Sequence, residues 1–163
     1  MKKIYLVLLG LFFLNNVMAN KTQQIFTEVE ESAVKSIPQI KATTYKTMKV
    51  DLSMAKNYLQ SIPKEFTAAS VQNTYLLQLP MPDGTWADFD LEESPMMEAG
   101  LAAQFPTFKT YTGKGITDPS AYLKLSITDK GLHAMILSAK GTIYIDPYNN
   151  QTTNLVMVYD KKD

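Results

Sequence analysis

The sequence predicts an α+β fold, mainly an antiparallel β meander with two short helices, preceded by a signal peptide. Three observations carry that prediction. The segment Ala121–Ile127 alternates Ala121, Leu123, Leu125 and Ile127 against Tyr122, Lys124 and Ser126, the two-residue period of a strand with one buried face. Tight turns with Gly follow it at Asp129-Lys130-Gly131 and Lys140-Gly141, so consecutive strands reverse direction and pair. Beyond residue 44, helical spacing is confined to two short stretches, each stopped by Pro.

In chain order, residues 1–19 read as a secretory signal. Lys2 and Lys3 form a positive n-region, Ile4–Leu14 an apolar h-region, and Val17-Met18-Ala19 offers the small residues at which cleavage is expected after Ala19. The apolar run is shorter than the roughly 20 residues that span a bilayer, so no stable membrane insertion is expected after cleavage. The product is a secreted or periplasmic chain of 144 residues, Asn20 to Asp163, a length that suits one domain.

Residues 20–44 read as an irregular N-terminal arm. Phe26, Val29, Ala33 and Val34 fit one side of a short helix, which Pro38 prevents from continuing. Residues 45–163 form the α+β domain proper. Tyr45–Asp51 alternates as a half-buried strand. Leu52–Ser61 places Leu52, Ala55, Tyr58 and Leu59 at helical spacing, with Asp51 or Ser53 as N-cap and Ile62-Pro63 as the stop. Thr74–Met81 and Thr85–Leu91 flank the hairpin turn Pro82-Asp83-Gly84, and Pro80 puts the end of the first of these strands at an edge or a bulge. Glu98–Phe105 is a second short helix, and Thr107–Thr112 a strand. The meander of 121–148 follows, and Leu155–Tyr159 is the last strand.

Composition excludes several chemistries. Without Cys there is no thiol nucleophile, disulfide or iron–sulfur cluster. All 16 basic residues are Lys, matched by 16 acids, which argues against nucleic acid as a partner. One His leaves a zinc site short of ligands. The chain is therefore not expected to be an enzyme or to hold a cofactor of its own.

Five residues stand out as possible partner-binding positions: Trp86, Pro95, Met96, Met97 and His133. His133, the sole imidazole, shares strand parity with Met135 and Leu137. It reads as a hydrogen-bonded sheet histidine or as a ligand offered to a partner's metal. Pro95-Met96-Met97 sits among acids after a strand, where Met serves either as an adaptable binding surface or as a plug beneath the next helix. Trp86 shares a row with Asp88, Asp90 and Glu92. That row reads as a solvated sheet face rather than a calcium site, because calcium loops wrap their ligands around the ion.

Several local runs, taken together, resemble one family. They are Leu79-Pro80-Met81-Pro82-Asp83-Gly84, Glu93-Ser94-Pro95-Met96-Met97, Leu101-Ala102-Ala103, Phe105-Pro106 and Thr110-Tyr111-Thr112-Gly113-Lys114-Gly115. Gly131-Leu132-His133-Ala134-Met135-Ile136-Leu137 and Tyr144-Ile145-Asp146-Pro147-Tyr148 complete the set. In order and spacing they resemble the N-terminal propeptide-like region of secreted bacterial reprolysin-like zinc metallopeptidases, which are metzincins. The resemblance covers about residues 45 to 163. It implies a non-catalytic module that assists folding or masks the active site of a metzincin catalytic domain, in cis or in trans, with any zinc held by that partner.

Two departures accompany it. The zinc helix H-E-x-x-H-x-x-G-x-x-H is absent, and no Cys is present to sit on a partner's zinc. Masking would then rely on covering the cleft, on strand pairing in the substrate groove, or on a carboxylate, His133 or a Met reaching the metal. The alternative expectation is a secreted binding module for a surface polymer or another exported protein.

Overall fold

The computed structural model describes residues 25–163, so the expected signal peptide lies outside the described residues. The elements, in chain order, are β1 (Phe26–Glu28), β2 (Tyr45–Val50), α1 (Leu52–Gln60), α2 (Ala68–Gln72), β3 (Leu76–Pro80), β4 (Trp86–Glu93), α3 (Ala99–Gln104), β5 (Lys109–Gly115), β6 (Tyr122–Thr128), β7 (Gly131–Ser138), β8 (Gly141–Pro147) and β9 (Leu155–Asp160). All strands join one antiparallel sheet in the order β1-β2-β9-β8-β7-β6-β5-β4-β3. After β2 the chain crosses through α1 and α2 to the far edge, then meanders strand by strand until β9 returns to pair with β2.

The alternation read from the sequence sets which face is inside. Cross-strand partners share a face, so Leu123↔Ile136, Leu125↔Ala134 and Ala134↔Ile145 form one buried row. Leu77, Leu79, Phe89, Leu91, Tyr111, Val156 and Val158 extend it around the sheet, and all pack in a single cluster with Ala55 and Leu59 of α1. One cluster shared by both edges of a nine-stranded sheet requires strong curling, and the body is nearly barrel-shaped. Helix α1 lies against the edge strand β3, where the Tyr58 hydroxyl donates to the Leu76 carbonyl. Asp51 caps this helix, its Oδ1 accepting from the Met54 amide at 2.9 Å.

The expected hairpin forms around Gly84, whose φ of +84° is the left-handed conformation that glycine adopts without steric cost. Asp83 Oδ1 accepts from the Thr85 amide at 2.9 Å and its hydroxyl at 2.6 Å, closing the turn. Pro80 ends β3, an edge strand of the sheet, as expected.

Three local readings are corrected. Among the described residues there are three short α-helices rather than two: α2 is five residues long, too short to show a period, and its sequence signal is the N-cap Thr67. The N-terminal arm is not uniformly irregular. Phe26, expected on a helix face, lies in β1 opposite Val50, and a 3₁₀ turn occupies Glu31–Ala33. The unpaired outer edge of β2 accepts this three-residue strand, and a tertiary partner of that kind leaves no periodicity in so short a segment. Strand β5 also runs on through Gly113 and Gly115, where neighbouring strands and the β5–β6 connection leave no room for a Cβ. A Cβ on Gly113 would stand 2.8 Å from Leu91 Cδ2.

Candidate functional site

The outward-facing residues of β5 to β8 line a groove of about 350 Å³ that contains His133 and Met96. Register explains the composition: Thr112↔Lys124, Ser126↔His133 and Met135↔Tyr144 are outward pairs on adjacent strands. His133 is fixed within this row. Its Nδ1 lies 2.8 Å from Asp146 Oδ1, and the Tyr159 hydroxyl donates to Asp146 Oδ2 at 2.8 Å. A carboxylate on Nδ1 favours the tautomer with the proton there, leaving Nε2 as an acceptor or ligand atom. The His133 side chain is 43% exposed and that of Asp146 21%, so the imidazole is oriented yet open to solvent.

The wall beside this groove is built by the chain leaving β4. Ser94 is held on both sides: its amide donates to the Thr110 carbonyl at 2.9 Å, and the Thr110 hydroxyl donates to the Ser94 carbonyl at 2.6 Å. Its hydroxyl donates to Glu65 Oε1 at 3.0 Å. Just before it, the 8%-exposed Glu93 receives Lys109 Nζ at 2.6 Å. From this anchor Pro95 and Met96 project outward, Met96 at 75% exposure, while Met97 turns partly inward. The two adjacent methionines thus differ in exposure, Met96 open to solvent and Met97 half-buried.

Glu65 brings a further residue to the same end of β4. Phe66 is 91% exposed and has φ +62°, a conformation costly for an aromatic L-residue. The loop is held there by the Glu65 amide on the Glu93 carbonyl at 2.9 Å and by the Thr67 hydroxyl on the Lys64 carbonyl at 2.8 Å. Sequence reasoning missed Phe66, and the only signal for it was an aromatic residue in a polar segment between two helices. It also missed Asp146 and Tyr159, which meet His133 only through the register of β7, β8 and β9.

The five residues singled out from sequence do not form one site. Met96, Pro95 and His133 gather at one end of the sheet, with Met97 half-buried next to Met96 in the chain. Trp86 stands at the opposite end of β4, roughly 25 Å away at the rise of an extended strand. Its row of acids is tied into the sheet edge: Asp90 Oδ1 accepts from the Tyr75 amide at 2.8 Å, and Asp88 Oδ1 from Gln78 Nε2 at 3.0 Å. Among the described residues no three His, Asp or Glu side chains group as metal ligands, and no helix is long and apolar enough to cross a membrane.

Four phenols are held above their ordinary value, Tyr45 among them, first by its bond to the Glu31 carboxylate and then by burial. Tyr58 is pushed up to about 12, first by burial and then by the charges near Asp90 and Tyr75. Burial also raises Tyr111, with Glu93 adding to it, and raises Tyr159, with its bond to Asp146 adding to it. A phenol with a raised folded-state value stabilises the fold below the unfolded value of about 10 and loses that contribution as pH climbs through the folded value. Stability is therefore expected to fall between about pH 10 and 12, with these tyrosines ionising only as the fold opens. Absorbance at the phenolate band, followed beside circular dichroism, checks this. All the tyrosines of the chain ionising near pH 10 with the fold intact would contradict it.

Comparison with known proteins returns no family model, no curated protein and no solved structure that matches the chain.

Proposed function

We propose that this chain is a secreted, non-catalytic module that docks on the catalytic domain of a metzincin-type zinc peptidase, assisting its folding or masking its active site. The observation that carries the reading is the end of the barrel-like body at which exposed Met96 lines the His133 groove and exposed Phe66 follows Glu65, which is bonded to Ser94 of the same groove. Large apolar side chains held out into water by a tied loop are what an interface buries, and a strained residue such as Phe66 persists where function compensates for it. The runs Glu93–Met97 and Gly131–Leu137, two of those that resemble the propeptide-like regions, supply Met96 and His133 to this surface.

The test refolds a secreted metzincin catalytic domain with and without the chain from Asn20 to Asp163, then measures cleavage of casein. The expected result is a higher yield of refolded peptidase or inhibition of the folded one. Replacing both Phe66 and Met96 by Ser is expected to weaken the effect about tenfold or more at unchanged melting temperature. No effect on refolding or cleavage, or a double variant as potent as the parent, would overturn the proposal. Zinc-dependent cleavage that co-migrates with the chain itself would overturn its non-catalytic part.

A further inference from the structure

At the other end of the body, below the Pro82-Asp83-Gly84 hairpin, lies a second cavity of about 300 Å³. The fold makes it by leaving the mouth of the curled sheet unplugged. Helix α1 fills one side of the interior, while at this end the hairpin, the β5–β6 connection and the β7–β8 turn stand around an opening. Its walls are apolar, from Phe89, Ala121, Ile136 and Ile143 on the inner face of the sheet. Trp86, the only tryptophan, lines one side at 38% exposure. A preformed apolar cavity with a few polar groups at the mouth of a barrel is a common form of small-molecule site.

The polar groups define the ligand's charge. Asp118 Oδ1 accepts from the Ser120 amide at 2.9 Å and its hydroxyl at 2.7 Å, as Asp83 Oδ1 does from Thr85. These bonds hold both carboxyls below the usual carboxylate range, so each is ionised at neutral pH. In each, the bonds from the turn fall on Oδ1. The cation that faces both is Lys140: its Nζ lies 3.6 Å from Asp118 Oδ2, and its charge also lowers Asp83. The Lys140 side chain is 86% exposed, and a contact so long and wet is weak. Asp160, also on the rim, is paired with Lys162 at 3.4 Å and adds little.

We propose that this mouth binds a small amphiphilic ammonium compound. Its apolar body would lie on Trp86, Ile136 and Ile143, and its ammonium would take the position beside Asp118 that Lys140 now holds. A bound ligand gains over Lys140 because its ammonium comes with an apolar body that the cavity removes from water, and an aromatic face adds cation–π attraction. The site is separate from the His133 groove, and the proposal is independent of the masking role.

Trp86 is the built-in reporter. Titrating the chain from Asn20 to Asp163 at low salt with benzylamine, benzyl alcohol and benzoate, probes of one shape and three charges, reads the site through its fluorescence. The expected result is a saturable change with benzylamine, about three- to tenfold weaker binding of benzyl alcohol, and the weakest binding by benzoate. Lys140→Ala is expected to tighten benzylamine about threefold and leave benzyl alcohol unchanged, because it removes a competing cation. Asp118→Asn, which keeps the oxygen that caps Ser120, is expected to remove the amine's advantage. Benzoate binding as tightly as benzylamine, a Lys140→Ala variant whose benzylamine affinity is unchanged or weaker, or the absence of saturable change with every probe would each overturn the proposal.

Discussion

Phe26→Ala is expected to cost the domain about 3–5 kcal/mol, the usual penalty for emptying a buried aromatic position. Phe26 is 1% exposed, pairs with Val50 and belongs to the same cluster as the inner faces of the meander. It reaches that cluster on a strand of three residues at the edge of the sheet. So short an edge has little means of collapsing into the vacated volume without giving up its pairing with β2. A loss of this size lowers the thermal midpoint by about 10 °C or more, readable by circular dichroism. Thr27→Ala, at the exposed neighbouring position, is the control and is expected to change stability by about 0.5 kcal/mol at most. A Phe26→Ala protein as stable as the parent would mean that the folded body begins at β2 and that β1 is an ornament on it.

Gly115→Ala is expected to be as damaging for the opposite reason. An added Cβ would stand 2.1 Å from the Asp118 carbonyl oxygen and 2.9 Å from the Ala121 Cβ. The nearest obstacle is backbone, so no side-chain rotation relieves the overlap. The Gly115 amide donates to the Ala121 carbonyl at 2.9 Å, and the same shift that relieves the clash lengthens this bond. Overpacking of this kind costs about 3 kcal/mol. Gly100→Ala is the informative contrast. Nothing lies within 4 Å of its added Cβ, and Ala favours a helix over Gly by about 1 kcal/mol, so that variant is expected to be slightly more stable. Chemical denaturation of the two variants checks the pair, and a Gly115→Ala variant more stable than Gly100→Ala would contradict the close approach.

The two glycines illustrate where the sequence is legible. Gly84, Gly131 and Gly141 announce turns, because a positive φ and a flanking polar residue belong together locally. Gly113 and Gly115 carry the same letter but sit inside β5; Gly113 is set by its distance to Leu91 and Leu123, neither a neighbour in sequence, and Gly115 by the backbone of the connection folding back at Asp118 and Ala121. Strand β1 and helix α2 are similarly silent, since three and five residues cannot display a period. The candidate site divides in the same way. Met96 and His133 could be singled out as unusual residue types, and the parity of His133 placed it on the face opposite Ala134 and Ile136. Trp86 could be singled out too, yet β4 carries it to the far mouth of the body.

Alternation and turn chemistry by themselves determined the antiparallel meander from β6 to β8 and which residues of those strands point inward. Both are consequences of backbone geometry over a few residues, and both read directly from the order of apolar and polar side chains. Only the tertiary structure decided that β9 closes on β2, across more than a hundred residues of chain, and that β1 extends the sheet beyond it. That closure curls the sheet around one core and leaves a mouth beneath the hairpin. The register of β7, β8 and β9 brings Asp146 and Tyr159 to His133. Pairings at such separation are fixed by the joint burial of both partners, a quantity that no local stretch of either one contains.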